Sequence, residues 1–287
     1  MYAFVKKKLR CVFNMIPTKK VTASIITLAP NELLKSRVAL ITGGTSGIGF
    51  SIAKAFLNSG ASVVITGRSE IRLQNSCKEL NPNGRFNGKL FGIVMDNTKI
   101  STFESTFNEV LSMLDKRQID ILVNNAGILG GHISNATEEE YSQVLDTNLK
   151  SVFFLSQLVG KYMKNNNIAG NILNIASSSS LRPAVSAYTL SKWGIRGLTL
   201  GLARVLAPYG ITVNGIAPGP TATPMLIKDS LKNLAVNNPL GRYALPEEIA
   251  NMAVVLTSDM GRSIVGDIIY MTGGSALVSF EDMNYTF

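Results

Sequence analysis

Tyr188 and Lys192 stand four residues apart in Tyr188-Thr189-Leu190-Ser191-Lys192, at the start of a stretch with helical patterning. That spacing puts both side chains on one helix face. An ammonium beside a phenol favours the phenolate and draws a tyrosine pKa from about 10 towards neutrality. Such a pair can exchange a proton with a forming alkoxide. Tyr and Lys at this spacing are also common on ordinary helix surfaces, so the meaning depends on what surrounds them.

A second group of residues points to a bound phosphate. Gly43-Gly44-Thr45-Ser46-Gly47-Ile48-Gly49 follows the apolar run Val38-Ala39-Leu40-Ile41-Thr42 and precedes a helical pattern at Ile52, Ala53, Ala55 and Phe56. Glycines let the backbone turn tightly and approach a pyrophosphate, while the N–H groups of the helix start face the anion. A turn that merely closes a βα unit would look similar, and the spacing is GxxxGxG rather than GxGxxG. The next strand ends Val63-Val64-Ile65-Thr66-Gly67-Arg68-Ser69. A ribose 2′-hydroxyl usually meets a carboxylate at that turn. Here no acid is present, and the Arg68 guanidinium suits a 2′-phosphate instead. The expected cofactor is therefore NADP(H), the plainer alternative being a solvated surface arginine.

These residues need a scaffold, and the rest of the chain supplies one. Short apolar runs at about 38–42, 62–66, 90–95, 119–123, 170–175, 211–217 and 265–271 read as buried strands. Runs so uniformly apolar suit a parallel sheet covered on both faces. Helical patterns fill the gaps. Thr137-Glu138-Glu139-Glu140 fits a capping box before one long helix reaching about Lys164, and Pro246-Glu247-Glu248 starts another. The expected fold is α/β, a Rossmann-type doubly wound sheet of seven parallel strands with helices on both faces.

Composition narrows the options. The chain has 287 residues, 46% of them apolar, enough for one large core. Residues 1–36 hold seven cations against the single acid Glu32, so they carry most of the net charge of +9. The remainder is nearly neutral, and no nucleic-acid partner is implied. The two cysteines, Cys11 and Cys77, form no CxxC, and His132 is the sole histidine, so no metal site is expected. His132 borders the substrate on one reading and is a plain loop residue on the other. The domain boundary is expected at 36/37, with a basic extension before it and a catalytic domain over 37–287. Residues 1–20 mix apolar and basic side chains and fit a peripheral membrane contact, a transit segment or a packing arm; residues 21–28 fit an extra strand or an extended arm. The cysteine count gives no sign of an oxidising compartment, and a cytoplasmic setting is expected.

From about Arg37 to Gly274 the chain resembles the short-chain dehydrogenases/reductases of the compact single-domain branch, and in motif style the β-ketoacyl-ACP reductases. The resemblance rests on ordered motifs: the glycine turn at 42–49, Asp96 after the third strand, Asn124-Asn125-Ala126-Gly127 after the fourth, Asn148 in the following helix, Asn174-Ile175-Ala176-Ser177 after the fifth, Tyr188 with Lys192, and Pro218-Gly219 with Thr223 after the sixth. It implies that Ser177 holds the substrate carbonyl, Tyr188 exchanges the proton, Lys192 tunes Tyr188 and binds the nicotinamide ribose, and Asn148 holds a water linking Lys192 to solvent. It implies a cofactor surface of Gly43, Thr45, Ser46, Gly47, Ile48, Gly49, Arg68, Asp96, Asn97, Asn124, Ala126, Gly127, Pro218, Gly219, Thr221 and Thr223, with Tyr188 and Lys192. Ser178 and Ser180 rival Ser177, Asn148 fits a helix irregularity, and Asp96 fits a plain turn. The segment from Ser177 to Tyr188 is shorter than the family's usual, and the last strand ends in Thr272-Gly273-Gly274 without the common Asp.

The expectation is thus an NADP(H)-dependent oxidoreductase acting on a small-molecule carbonyl or alcohol, with an acyl thioester among the candidate substrates. A non-catalytic NADP-binding sensor or scaffold is the alternative. Apolar residues exceed one core-facing stripe in the two helices after Asn148 and Tyr188, which predicts a homodimer or homotetramer.

Overall fold

The computed structural model describes residues 30–226 and 236–277. Seven parallel strands form one sheet: β1 (Val38–Ile41), β2 (Ser62–Gly67), β3 (Leu90–Val94), β4 (Ile121–Asn124), β5 (Asn171–Ile175), β6 (Thr212–Pro218) and β7 (Ile268–Met271), in the order β3-β2-β1-β4-β5-β6-β7. The chain runs outward from β1 to β3, then returns to place β4 on the other side of β1. That reversal opens a crevice at the carboxyl ends of β1 and β4, where doubly wound folds bind ligands.

The two faces follow from period-2 alternation along the strands. On one face Ala39, Ile41, Val63, Ile65, Ile121 and Val123 pack against α1 (Gly47–Asn58), α2 (Glu70–Leu80) and α7 (Pro246–Thr257). On the other, Val38, Leu40, Val64, Leu122 and Ile172 pack against α3 (Phe103–Met113), α5 (Ser151–Asn165) and α6 (Ala187–Leu206). No described helix is long and apolar enough to cross a membrane.

Three features differ from the sequence-based expectations. The long helix after Thr137 is broken: α4 (Glu138–Leu145) passes through a π-turn at Asp146–Lys150 before α5 begins. Its capping box is half formed. The Thr137 hydroxyl accepts from the Glu140 N–H at 3.2 Å, while the Glu140 carboxylate turns away to accept from the Gly131 N–H. The folded unit also starts before Arg37, because Leu34 is fully buried and docks its N–H on the Ser59 carbonyl at 2.9 Å. The expectations for residues 1–20 and 21–28 lie outside the described residues.

Candidate active site

A cleft of about 560 Å³ opens over the carboxyl ends of the strands. The glycine turn forms its floor. Gly43 and Gly47 have φ of +64° and +55°, and a Cβ on Gly43 would lie 3.0 Å from Ala126 Cα. Ser46 caps α1 without using its side chain, so the first-turn N–H groups keep no side-chain partner there. Thr66 and Thr147 are buried, line the same cleft, and their hydroxyls have no protein partner. A positive helix end and a backbone cradle that a Cβ would fill fit a dinucleotide.

Most of the expected cofactor surface comes together in this cleft. Gly43, Thr45, Ser46, Gly47, Ile48, Arg68, Asp96, Asn97, Ala126, Gly127, Pro218, Gly219, Thr221 and Thr223 all line it. Asp96 accepts from Thr98 N at 3.0 Å and Thr98 Oγ1 at 2.8 Å. Burial pushes its carboxyl up, but those bonds and the cations Lys99 and Arg68 together hold it below its usual value. It is thus both a turn residue and a cleft residue.

Asn124 and Gly49 fall outside the lining. Asn124 is in register with Asn174 on β5, so their side chains share a face. Its Nδ2 donates to Ser156 Oγ and to Asn174 Oδ1, both at 2.9 Å, and Asn174 donates onward to Thr199. This buried ladder ties β4 and β5 to α5 and α6 and leaves the Asn124 side chain outside the cleft lining. Gly49 is instead a packing position: a Cβ there would lie 2.4 Å from Asn125 Nδ2.

Four residues of the catalytic set lie around the end of β5. Tyr188, in the first turn of α6, lines the cleft together with Ser177. Of the rival serines, Ser180 spends its hydroxyl on the Ser177 carbonyl at 2.7 Å, and Ser178 does not line the cleft. Lys192 donates to the Ile175 carbonyl at 2.8 Å, with Nζ 5.6 Å from the Tyr188 ring centre. Asn148 sits in the π-turn, its side chain paired with both main-chain groups of Ile128 at 2.8 and 2.9 Å and reaching Ser191 Oγ at 3.2 Å. A Cβ on Gly127 would lie 3.4 Å from Asn148 Oδ1 and 3.8 Å from Lys192 Nζ, so the three converge. Asn148 is therefore a clasp between the loop after β4 and α6, built on the helix irregularity.

The electrostatics differ from the sequence reading in one respect. Burial pushes the Tyr188 phenol above its ordinary value, only partly offset by the pull of the Ser177 hydroxyl. Burial also brings Lys192 down to about 8. The ammonium is turned onto a main-chain carbonyl, and loss of water outweighs its pull on the phenol. Tyr188 is thus a protonated acid at neutral pH.

Other cleft residues carried too little pattern to be singled out. Arg72, in the first turn of α2, lines the cleft beside Arg68, which lies in the turn before that helix. Asn125 donates to the carbonyls of Thr42 at 2.9 Å and Gly43 at 3.0 Å, and only the exact end of β4 separates it from Asn124. Ile128, Leu129, Met225 and Leu226 form an apolar part of the wall. His132 is exposed and pairs with Ser134 Oγ at 2.8 Å.

A sequence profile described as short chain dehydrogenase matches residues 37–233. A 3alpha-hydroxysteroid dehydrogenase of Mediterraneibacter gnavus is 36% identical over 252 residues, covering 85% of this chain and 98% of its own length. The 3-oxoacyl-[acyl-carrier-protein] reductase FabG of Chlamydia muridarum is 36% identical over 252 residues, covering 86% and 100%. A solved short chain dehydrogenase of Burkholderia cenocepacia, in complex with NADP, superposes with a TM-score of 0.74 at 30% identity, covering 84% of this chain and 98% of its own.

Proposed function

The chain belongs to the short-chain dehydrogenase/reductase family, and from that premise we propose that it is an NADPH-dependent ketoreductase. It is an oxidoreductase acting between a carbonyl and a secondary alcohol. One observation carries the reading: Ser177, Tyr188 and Lys192 meet in the cleft that the glycine turn floors.

When bound, a reduced nicotinamide supplies hydride to the carbonyl carbon. Ser177 holds the carbonyl oxygen by hydrogen bonding, and Tyr188 gives its phenolic proton to that oxygen as negative charge develops. The phenol is protonated at neutral pH and so holds a proton to give to the far more basic alkoxide. Lys192, half-way to neutrality near pH 8, sits where it can reach the ribose and restore the phenolic proton. Asn148 holds the loop at 127–128 against α6 and so fixes the Lys192 side of the cleft.

NADPH preference rests on Arg68, in the turn after β2, and Arg72, in the first turn of α2, both lining the cleft, with no acid between β2 and Ser69. The NADP complex of the Burkholderia relative supports the choice, and the FabG relative supports reduction as the working direction. The basic residues ahead of the catalytic unit form an extension to it, and a cytoplasmic setting suits a reductase drawing on NADPH. A homo-oligomer accounts for the outward Phe153, Phe154, Trp193, Leu200 and Val205 of α5 and α6.

NADPH consumption tests the proposal. Ketoacyl thioesters, keto sugars and ketosteroids should include at least one class that oxidises NADPH in step with alcohol formation. NADPH binding without turnover across all three would favour the sensor reading.

A further inference from the structure

Between β6 and α7 the chain leaves the cleft and returns to it, and Ala244 staples the two ends. Ala244 N donates to the Pro220 carbonyl and Ala222 N to the Ala244 carbonyl, both at 2.9 Å, so the two bonds bracket Thr221. Thr221 and Thr223 line the cleft, and a Cβ on Gly47 would lie 3.3 Å from the Thr223 methyl group. Both threonines follow the end of β6, beside the end of β5 that bears Ser177. Arg68 stands at the end of β2, beyond β4 and β1. Hydride has to leave next to Ser177 and Tyr188. Thr221 and Thr223 would therefore face the nicotinamide half of a bound cofactor, and Arg68 and Arg72 the adenosine half.

What fixes Ala244 lies outside the cleft. Arg242 Nη1 and Nη2 donate to Glu248 Oε2 and Oε1 at 2.8 and 2.9 Å, a two-pronged ion pair. The same Nη1 donates to the Tyr243 carbonyl at 3.0 Å, and Glu248 Oε2 accepts from Leu245 N at 2.7 Å. Ala244 thus has a bond to the pair on each flank. Glu248 sits in the first turn of α7, whose positive end favours a carboxylate. The bonds from Arg242 and from Leu245 N bring its carboxyl down to about 2, so the pair stays charged at working pH. Asn238 Nδ2 donates to the Arg242 carbonyl at 2.9 Å and Leu240 N to the Gly273 carbonyl at 3.0 Å, which ties the incoming chain to the turn after β7. A half-exposed ion pair ordinarily stabilises little. This one has the fork geometry that makes such a pair count, and its remaining bonds fall on the two residues beside the staple. Neither Arg242 nor Glu248 lines the cleft.

Resting on the ketoreductase reading above, we infer that Arg242 and Glu248 are positioning residues for the nicotinamide half of the cofactor. Their pair holds Ala244, Ala244 holds Thr221, and the threonine segment keeps its place over the glycine turn. Binding of the adenosine half at Arg68 and Arg72 is independent of the pair.

The test reads affinity rather than turnover. NADPH and adenosine 2′,5′-bisphosphate, which keeps the 2′-phosphate and lacks the nicotinamide, are titrated into the wild type, Arg242→Gln, Glu248→Gln and the double variant. Each single variant should weaken NADPH about three- to tenfold and leave the fragment within about twofold of wild type. The double variant should lose no more than the worse single one, because the first substitution already removes the pair. Arg242→Lys keeps the charge without the fork; it should lose less than Arg242→Gln and replaces it if that variant fails to fold. Unchanged NADPH affinity, equal losses for NADPH and the fragment, or losses that add in the double variant overturn the inference and leave the ketoreductase standing. A wild type that does not bind NADPH overturns both.

Discussion

Glu140 should control the rate of the chemical step without touching substrate or cofactor. Its carboxylate accepts from Gly131 N, and the same loop accepts from α6: Ala187 N donates to the Gly131 carbonyl at 2.8 Å, and Tyr188 N reaches the Gly130 carbonyl at 3.4 Å. Both glycines hold positive φ, and a Cβ on Gly131 would lie 2.7 Å from the Ala187 Cβ. The loop is thus wedged between Glu140 and the turn that aims the phenol. A hydrogen bond to a charged acceptor contributes roughly 1.5–3 kcal/mol. Glu140 is exposed, so screening reduces this to about 1–1.5 kcal/mol. If that free energy goes into holding the Tyr188 turn, Glu140→Ala should lower kcat roughly five- to twelvefold and Tm by about 2–5 °C. NADPH affinity should not change. Glu140→Gln keeps an acceptor oxygen and should recover most of kcat. Single-turnover rates at saturating NADPH, set beside thermal melts, make the test. A lower Tm with unchanged kcat, or equal losses for Ala and Gln, would refute the positioning argument.

The other predictions concern charge and assembly. Arg68→Ala and Arg72→Ala should each weaken NADPH at least about tenfold more than NADH, a difference of about 1.4 kcal/mol; equal losses by fluorescence titration would remove these side chains from the 2′-phosphate. Lys192 falls to about 8 on burial from an ordinary 10.5, so the unfolded chain binds its proton more tightly. Its stability cost is full below about pH 8 and fades as the pH climbs towards 10.5. Lys192→Met should therefore raise Tm at pH 7 while abolishing most turnover, and wild-type kcat/KM for reduction should decline above about pH 8. Light scattering at micromolar concentration should give a dimer or tetramer, and Phe154→Glu with Trp193→Glu should release monomers; a monomeric wild type contradicts that assembly.

The fold was legible because its strands are apolar runs closed by Gly, Asn or Asp, and a parallel sheet buried on both faces has no other way to be written. All seven strands fall within about three residues of their expected bounds. The site was legible where a residue type has one use at one place, as with Gly43, Gly47, Tyr188 and Lys192. It was not legible where register decides. Asn124 and Asn125 are the same letter twice, and only the pairing of Asn124 with Asn174 sends one inward and leaves the other on the glycine turn. The π-turn at Asn148 was hidden because its residues also suit an α-helix, and the irregularity comes from the tertiary pull of Ile128 and Ser191. Proton affinities were hidden for a similar reason: spacing showed that Lys192 neighbours Tyr188, but not that both lose their water.

The central claim is that the Tyr188 phenol delivers the proton. Tyr188→Phe keeps the ring in the first turn of α6 and deletes only the phenolic hydroxyl that shares the cleft with Ser177. Single-turnover hydride transfer should be measured on this variant with NADPH bound and with a ketone the wild type reduces. The account predicts unchanged NADPH affinity, since the glycine turn and Arg68 are intact, and a rate lower by roughly 10²–10⁴-fold. A variant that reduces the ketone at the wild-type rate would contradict it.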